Sequence, residues 1–171
     1  MTLQDFASIA DVIGGFAVVI SLLYVGYQVK INTAEKRAAS VESITSGYRD
    51  LALTYVNNEA ASVAWHKVLD GEEMTKRDLD LMSDAIYAHM MALEEAFDKH
   101  KAGYIDKEFL DARVQLIKLK LLLSPQLRSV YEGMNKNGIY TQSFIEWLEK
   151  ELQSSPLYEQ SPKATKWTDL R

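Results

Sequence analysis

The chain has 171 residues, no cysteine, and 24 acidic against 19 basic side chains for a formal charge of −5, which is the length of a single domain. Without cysteine, disulfides, thiolate metal centres and cysteine nucleophiles are all excluded, and the acidic balance argues against a nucleic-acid partner, since proteins that hold a phosphate backbone concentrate Lys and Arg. Only three prolines and a scarcity of alternating apolar runs point to an all-α fold.

The chain opens with a short leader, residues 1–8, and then a long apolar stretch, residues 9–29, IADVIGGFAVVISLLYVGYQV. Residues 12–29 carry no charged side chain. As a helix those positions span about 27 Å, close to the roughly 30 Å of a bilayer's hydrocarbon core. The stretch reads as one transmembrane helix. The segment MTLQDFASIAD has two acids and no base, unlike the basic start of a cleaved signal peptide, so the helix is expected to be retained. On its far side Lys30, Lys36 and Arg37 outnumber Glu35, which by the positive-inside rule places the leader outside and the main body in the cytoplasm. Tyr24 and Tyr27 fall at the inner headgroup level, and Asp11 near the outer interface, where its charge stays hydrated. Ala10, Gly14, Ala17 and Ser21 line one face with small side chains, a candidate helix-association face for a second copy or another membrane protein. The competing reading of the whole stretch is a buried central helix of an ordinary bundle.

Residues 30–57 contain no proline and extend the span as a stalk helix. Ile31, Ala34, Ala38, Val41, Tyr48, Ala52 and Tyr55 form its apolar or small face, with Thr45 filling the gap. A helical bundle packed with the stalk is expected over residues 58–153. Asn58 caps a short helix containing Val63, Trp65 and Val68, and Asp70-Gly71 makes a turn. Thr75 with Asp78 resembles a capping box, opening the longest helix of the body on the stripe Leu79, Met82, Ile86, His89, Met90, Leu93 and Phe97. Gly103 caps its end.

Asp106 starts the next helix, in which Leu110, Val114, Ile117 and Leu121 make one seam and Leu116, Leu119, Leu122 and Leu123 a second. A helix apolar on more than one side belongs in the centre of a bundle, with Arg113, Lys118 and Lys120 at its solvated edge. Ser124-Pro125 restarts a helix, Asn137-Gly138 turns, and Thr141 caps a last amphipathic helix bearing Phe144, Ile145, Leu148 and Leu152. Residues 154–171 form a mostly irregular tail whose Leu157, Tyr158 and Trp167 can dock on the bundle.

The strings VVISLLYVGYQV, NNEAASVAWHKVLDG, AHMMALEEAFDKHKAGYIDKEF and LLLSPQLRSVYEG span nearly the whole chain. In them the chain resembles an uncharacterised group of small bacterial proteins with one N-terminal span and a cytoplasmic helical domain. The resemblance implies a bacterial inner-membrane location and that architecture. It implies no reaction, ligand or catalytic residue.

Candidate chemistry is sparse. The stretch from Asp98, DKHKAGYIDKEF, matches an EF-hand loop at Asp98, Gly103, Ile105 and Asp106, but His100, Ala102 and Phe109 stand where oxygen ligands are needed. A helical hairpin explains it better. No Glu-x-x-His pair exists for a di-metal bundle, since Val63, Ile86 and Phe97 precede the three histidines by three positions. His89, Glu94 and Asp98 are the nearest thing to a metal-ligand set, and their spacing brings only loose clustering. Nucleophile elbows, phosphate loops and dinucleotide fingerprints are all missing. The expected function is therefore a membrane-anchored cytoplasmic interaction, adaptor or sensor module without catalysis or cofactor, its partners being membrane lipid and either a second copy or another membrane protein. The alternative is a metal- or small-ligand-binding bundle around His89, Glu94 and Asp98.

Overall fold

The computed structural model describes residues 3–156 and 158, with side chains given at Gln4 and from residue 13 onward. The side chains of Ala10 and Asp11, together with Leu157 and Trp167, therefore lie outside the described residues. Among those described the protein is all-helical: α1 (Leu3–Asn57), α2 (Glu59–Asp70), α3 (Lys76–Lys101), α4 (Lys107–Leu123), α5 (Pro125–Lys136) and α6 (Gln142–Gln153). The chain separates into two compact units, Met1–Ala39 and Ser40–Arg171. The boundary falls inside α1, so residues 40–57 of the expected stalk belong to the body.

In the first unit α1 is an unbroken helix. Three of its polar side chains turn back on their own turns: Ser21 Oγ donates to the Ala17 carbonyl at 2.8 Å, Gln28 Nε2 to the Tyr24 hydroxyl at 3.0 Å, and Thr33 Oγ1 to the Val29 carbonyl at 2.8 Å. Each such bond satisfies a hydroxyl or amide without water.

The second unit is organised by α3. Leu79, Met82, Ile86, His89, Met90, Leu93 and Phe97 are buried along one stripe, joined by Ala96. The helix starts as the sequence indicates: the Thr75 side chain accepts from Asp78 N at 3.2 Å, while Asp78 Oδ2 accepts from Thr75 N at 2.9 Å. Asp78 Oδ2 also takes Lys67 Nζ at 2.6 Å. With Lys67 as the largest cause and Thr75 next, these bonds hold the Asp78 carboxyl down at about 2 and fasten the end of α2 to the start of α3. At the other end Gly103, at φ 75°, follows the Ala102 cap. Its N–H donates to the His100 carbonyl and that of Tyr104 to Lys99, a Schellman arrangement that needs a left-handed residue. Asp106 then accepts from Phe109 N at 2.7 Å and starts α4, so the EF-hand-like stretch is a capped hairpin.

Packing departs from three expectations. The buried positions of α1 in the body are Ser40 and Ile44, with Tyr48 and Tyr55 packed behind them, while Val41 is 38% exposed and Thr45 and Ala52 are exposed. Tyr48 and Tyr55 lie on the expected face, but Ser40 and Ile44, each one position from Val41 and Thr45, are buried in place of those two. On α4 the seam Leu110, Val114, Ile117 and Leu121 is buried, but of the second seam only Leu122 is; Leu116, Leu119 and Leu123 are exposed, and Lys118 and Lys120 are buried instead at 8% and 3%. Finally, Thr141 precedes α6 without making a side-chain cap bond. Glu94 Oε1 on α3 accepts from the Thr141 N–H at 2.7 Å. A carboxylate from a neighbouring helix thus satisfies the backbone donor and favours the positive end of the α6 dipole.

Glu94→Ala is therefore expected to lower stability by about 1 kcal/mol, the usual cost of losing a cap, whereas Thr141→Ala changes it by less than about 0.5 kcal/mol. Denaturant titration of both variants checks the pair, and the reverse order would contradict this capping arrangement.

Candidate functional site

Two features stand out from ordinary packing. The first lies in α1. Among the described residues one helix is long and apolar enough to cross a membrane, within Ile13–Asn57, where the most apolar 18-residue window has a mean hydropathy of 1.4 and is 0% buried. Ile13, Phe16, Leu22, Leu23 and Tyr24 are each more than 60% exposed. Such a run of large apolar side chains exceeds what a monomer surface facing water carries without a partner. The small-residue face is open as well. Gly14, Ala17 and Ser21 are exposed, and a Cβ added at Gly14 would meet nothing within 4 Å.

The second feature is a polar cluster in the body, where α1, α2, α3 and α4 each contribute a side chain. Tyr48 and Tyr55 stand seven positions apart on one face of α1. His89 is on the buried stripe of α3, Lys120 on the inner flank of α4, and Trp65 on α2. His89 Nδ1 lies 2.8 Å from the Ala85 carbonyl, which can only accept, so Nδ1 carries the proton and Nε2 is a bare acceptor. Lys120 Nζ, 3.3 Å from Nε2, is its donor. The same ammonium lies 3.4 Å from the Tyr55 hydroxyl. It also sits over two ring faces, 4.6 Å from the centroid of Trp65 and 5.2 Å from that of Tyr55. The Tyr48 ring meets His89 edge-on at 6.0 Å. Behind it the Arg113 guanidinium is stacked on Phe109 and Tyr48 at 4.5 and 5.4 Å.

Among the described residues no carboxylate pairs with Lys120. Ring quadrupoles, the imidazole lone pair and the Tyr55 hydroxyl oxygen stabilise this desolvated cation. Burial accordingly pulls the Lys120 ammonium down to about 8. Burial first, and the neighbouring Lys120 charge second, depress His89 to about 4. At neutral pH His89 is uncharged and Lys120 largely protonated. An amine of lowered pKa is a better nucleophile than a solvated lysine, but at 3% exposure this one is closed to a substrate. In this conformation it lies between the end of α1 and helices α2 and α3.

Of the residues singled out for metal binding, His89 is occupied by Ala85 and Lys120, Glu94 caps α6, and Asp98 is exposed on α3. The three are not brought together, and among the described residues no group of three or more His, Asp or Glu is arranged to hold a metal ion. A lysine ammonium against Nε2 also repels any cation there. Sequence reasoning missed the Lys120 cage because lysine is read as a surface residue. The signal present was positional: Lys120 falls three residues after Ile117 and one before Leu121, on the flank of the buried seam.

The cluster has a pH signature. His89 is held below its ordinary 6.5 and Lys120 below its ordinary 10.5, so in both cases the unfolded chain binds the proton more tightly. His89 is expected to add stability as pH rises from 4 to 6.5 and Lys120 as it rises from 8 to 10.5, each by about 3 kcal/mol, the second opposed near pH 10 by Tyr55, whose hydroxyl burial pushes up to about 12. Lys120→Met abolishes the alkaline rise, shrinks the acid one, and leaves stability at pH 7 equal or higher. Denaturant titration across pH, read by tryptophan fluorescence of the full chain in non-ionic detergent, checks this; a profile unchanged by the substitution would refute it.

The chain matches no protein-family model, no curated protein and no solved structure.

Proposed function

We propose that the protein is a membrane-anchored helical interaction module, an adaptor or sensor whose work is association rather than catalysis. The single observation that carries this reading is the uncharged apolar run of α1, wholly exposed in a chain whose remaining helices bury a well-formed core. Lipid is the solvent that suits such a run, and a retained span tethers the body to one surface. The basic cluster Lys30, Lys36 and Arg37 supports an orientation with the N-terminus outside and the body in the cytoplasm; that the membrane is a bacterial inner membrane rests on the resemblance alone. The small face of Gly14, Ala17 and Ser21 supports a helix partner inside the bilayer, either a second copy or another membrane protein.

Full-length protein is expected to stay with the membrane pellet through alkaline extraction. Replacing Val19 and Leu22 together by lysine should release it, since each charge near mid-span costs about 2.5–3.5 kcal/mol on insertion scales. A folded, aqueous monomer from the unaltered chain would overturn the reading. Because cysteine is absent, single cysteines report sidedness. An impermeant maleimide added to spheroplasts should label Gln4→Cys and spare Gln153→Cys. Detergent pull-down should recover a specific partner or a homo-oligomer, whereas a lone monomer carrying metal would count against an interaction role.

A further inference from the structure

α1 carries a seven-residue repeat that its own chain leaves uncovered. Counted in sevens from Ala17, the helix presents Tyr24, Ile31, Ala38 and Thr45; counted from Ile20, it presents Tyr27, Ala34 and Val41. The two lines alternate at spacings of three and four, the core positions of a heptad, whose period of 3.5 keeps them on one stripe. Ile31 is half-exposed and every other member is exposed, while the body buries Ser40 and Ile44 beside the stripe. The edges of the stripe bear matched charges. Lys30 and Arg37 stand on one edge, Glu35 and Glu42 on the other, each acid five positions after a base. Side chains on one helix meet at spacings of three or four, and no opposite charge stands at those spacings from any of the four. All are exposed, and among the described residues none forms an ion pair.

We infer that α1 pairs with α1 of a second copy as a parallel, left-handed two-stranded coiled coil over residues 13–45, in which Lys30 meets the partner's Glu35 and Arg37 the partner's Glu42. In a parallel pair a residue on one edge lies against the opposite edge of the partner five positions on, which is the spacing of these charges. A two-fold axis makes each contact twice, so the helix is complementary to itself. Lipid alone accounts for less: the stripe and its charged edges run on past the uncharged residues 12–29, beyond the hydrocarbon layer. Two spans inserted with the same orientation are necessarily parallel. Along the uncharged run Gly14 and Ser21 hold the edge that Glu35 and Glu42 hold farther on, and small side chains there let two backbones approach. Pairing ends near Thr45 because Ile44 and Tyr48 pack into the body. The inference rests on the interaction reading above and specifies its partner.

Single cysteines in the otherwise cysteine-free full-length chain read the register. Membrane pellet and supernatant are separated first, and brief copper–phenanthroline oxidation is run on the fraction that holds the chain. A failure of the membrane reading then shows as location, and a failure of pairing as a missing cross-link. Ala34→Cys and Ala38→Cys, on the stripe, should each give covalent dimer. Thr33→Cys and Ala39→Cys, on the outer faces, should give about tenfold less, because a disulfide needs Cα atoms within about 7 Å. In the Ala38→Cys background, Glu35→Lys with Glu42→Lys sets base against base and keeps the inner flank basic; the yield should fall about fivefold. Adding Lys30→Glu and Arg37→Glu should restore it. Equal cross-linking at all four positions, none at the two stripe positions, or a yield indifferent to the charge changes would each overturn the pairing.

Discussion

The body depends on one constraint: α3 has a single apolar face, and each of the other helices must find a place on it or on a helix that does. Its stripe from Leu79 to Phe97 is buried over nearly the whole helix. At the near end Asp78 ties α2 to it through Lys67. At the far end Phe97 meets Phe144 and Trp147 of α6 at 5.8 and 4.9 Å, and three residues earlier Glu94 caps that helix. In the middle His89 receives Tyr48 and Tyr55 of α1 at 6.0 and 6.3 Å. Apolar burial supplies most of the free energy in such an arrangement. The polar contacts at each end set register, because an unpaired buried donor or carboxylate would cost more than the packing gained by sliding.

Three buried or half-buried cations show different solutions to the same problem. Arg128 is forked between Glu132 and Glu149, with the Tyr131 hydroxyl donating to Glu149 at 2.8 Å, and thereby joins α5 to α6. Lys118 reaches Glu151 at 3.1 Å and joins α4 to α6. Lys120 has no carboxylate and relies on Trp65, Tyr55 and His89. The first two gain Coulomb attraction that offsets desolvation. The third gains only ring and lone-pair attraction, and its proton affinity falls accordingly.

The two units of the chain obey different rules. In the body apolar side chains converge on one core, with Leu116, Leu119 and Leu123 left exposed along one seam of α4. Around residues 13–29 of α1 they point outward in every direction, and Ser21 and Gln28 bond back within the helix, to the Ala17 carbonyl and the Tyr24 hydroxyl. That pattern suits a surrounding that is itself apolar, and it is why the proposed function begins with the membrane.

Much of the architecture was legible in the residues, and for a local reason. Helix starts and stops are set within one turn, so Asn58, Thr75, Asp106, Ser124 and Gly103 announced their boundaries without reference to anything distant. The stripe of α3 and the seam of α6 followed from period alone, because each has one apolar face. Where two faces competed, period could not choose. Tertiary contact decided that α1 turns Ser40 and Ile44 inward rather than Val41, and that α4 hides Lys120 and exposes Leu116, Leu119 and Leu123. The Lys120 cage and the Glu94 cap are of the same kind, formed by groups 31 and 47 residues apart, two side chains in the first and a side chain with a backbone N–H in the second. By itself the sequence determined the helices, their ends and the uncharged run; only the folded chain decided which flank of a two-faced helix is buried, since that depends on which rings and lone pairs from other helices stand opposite it.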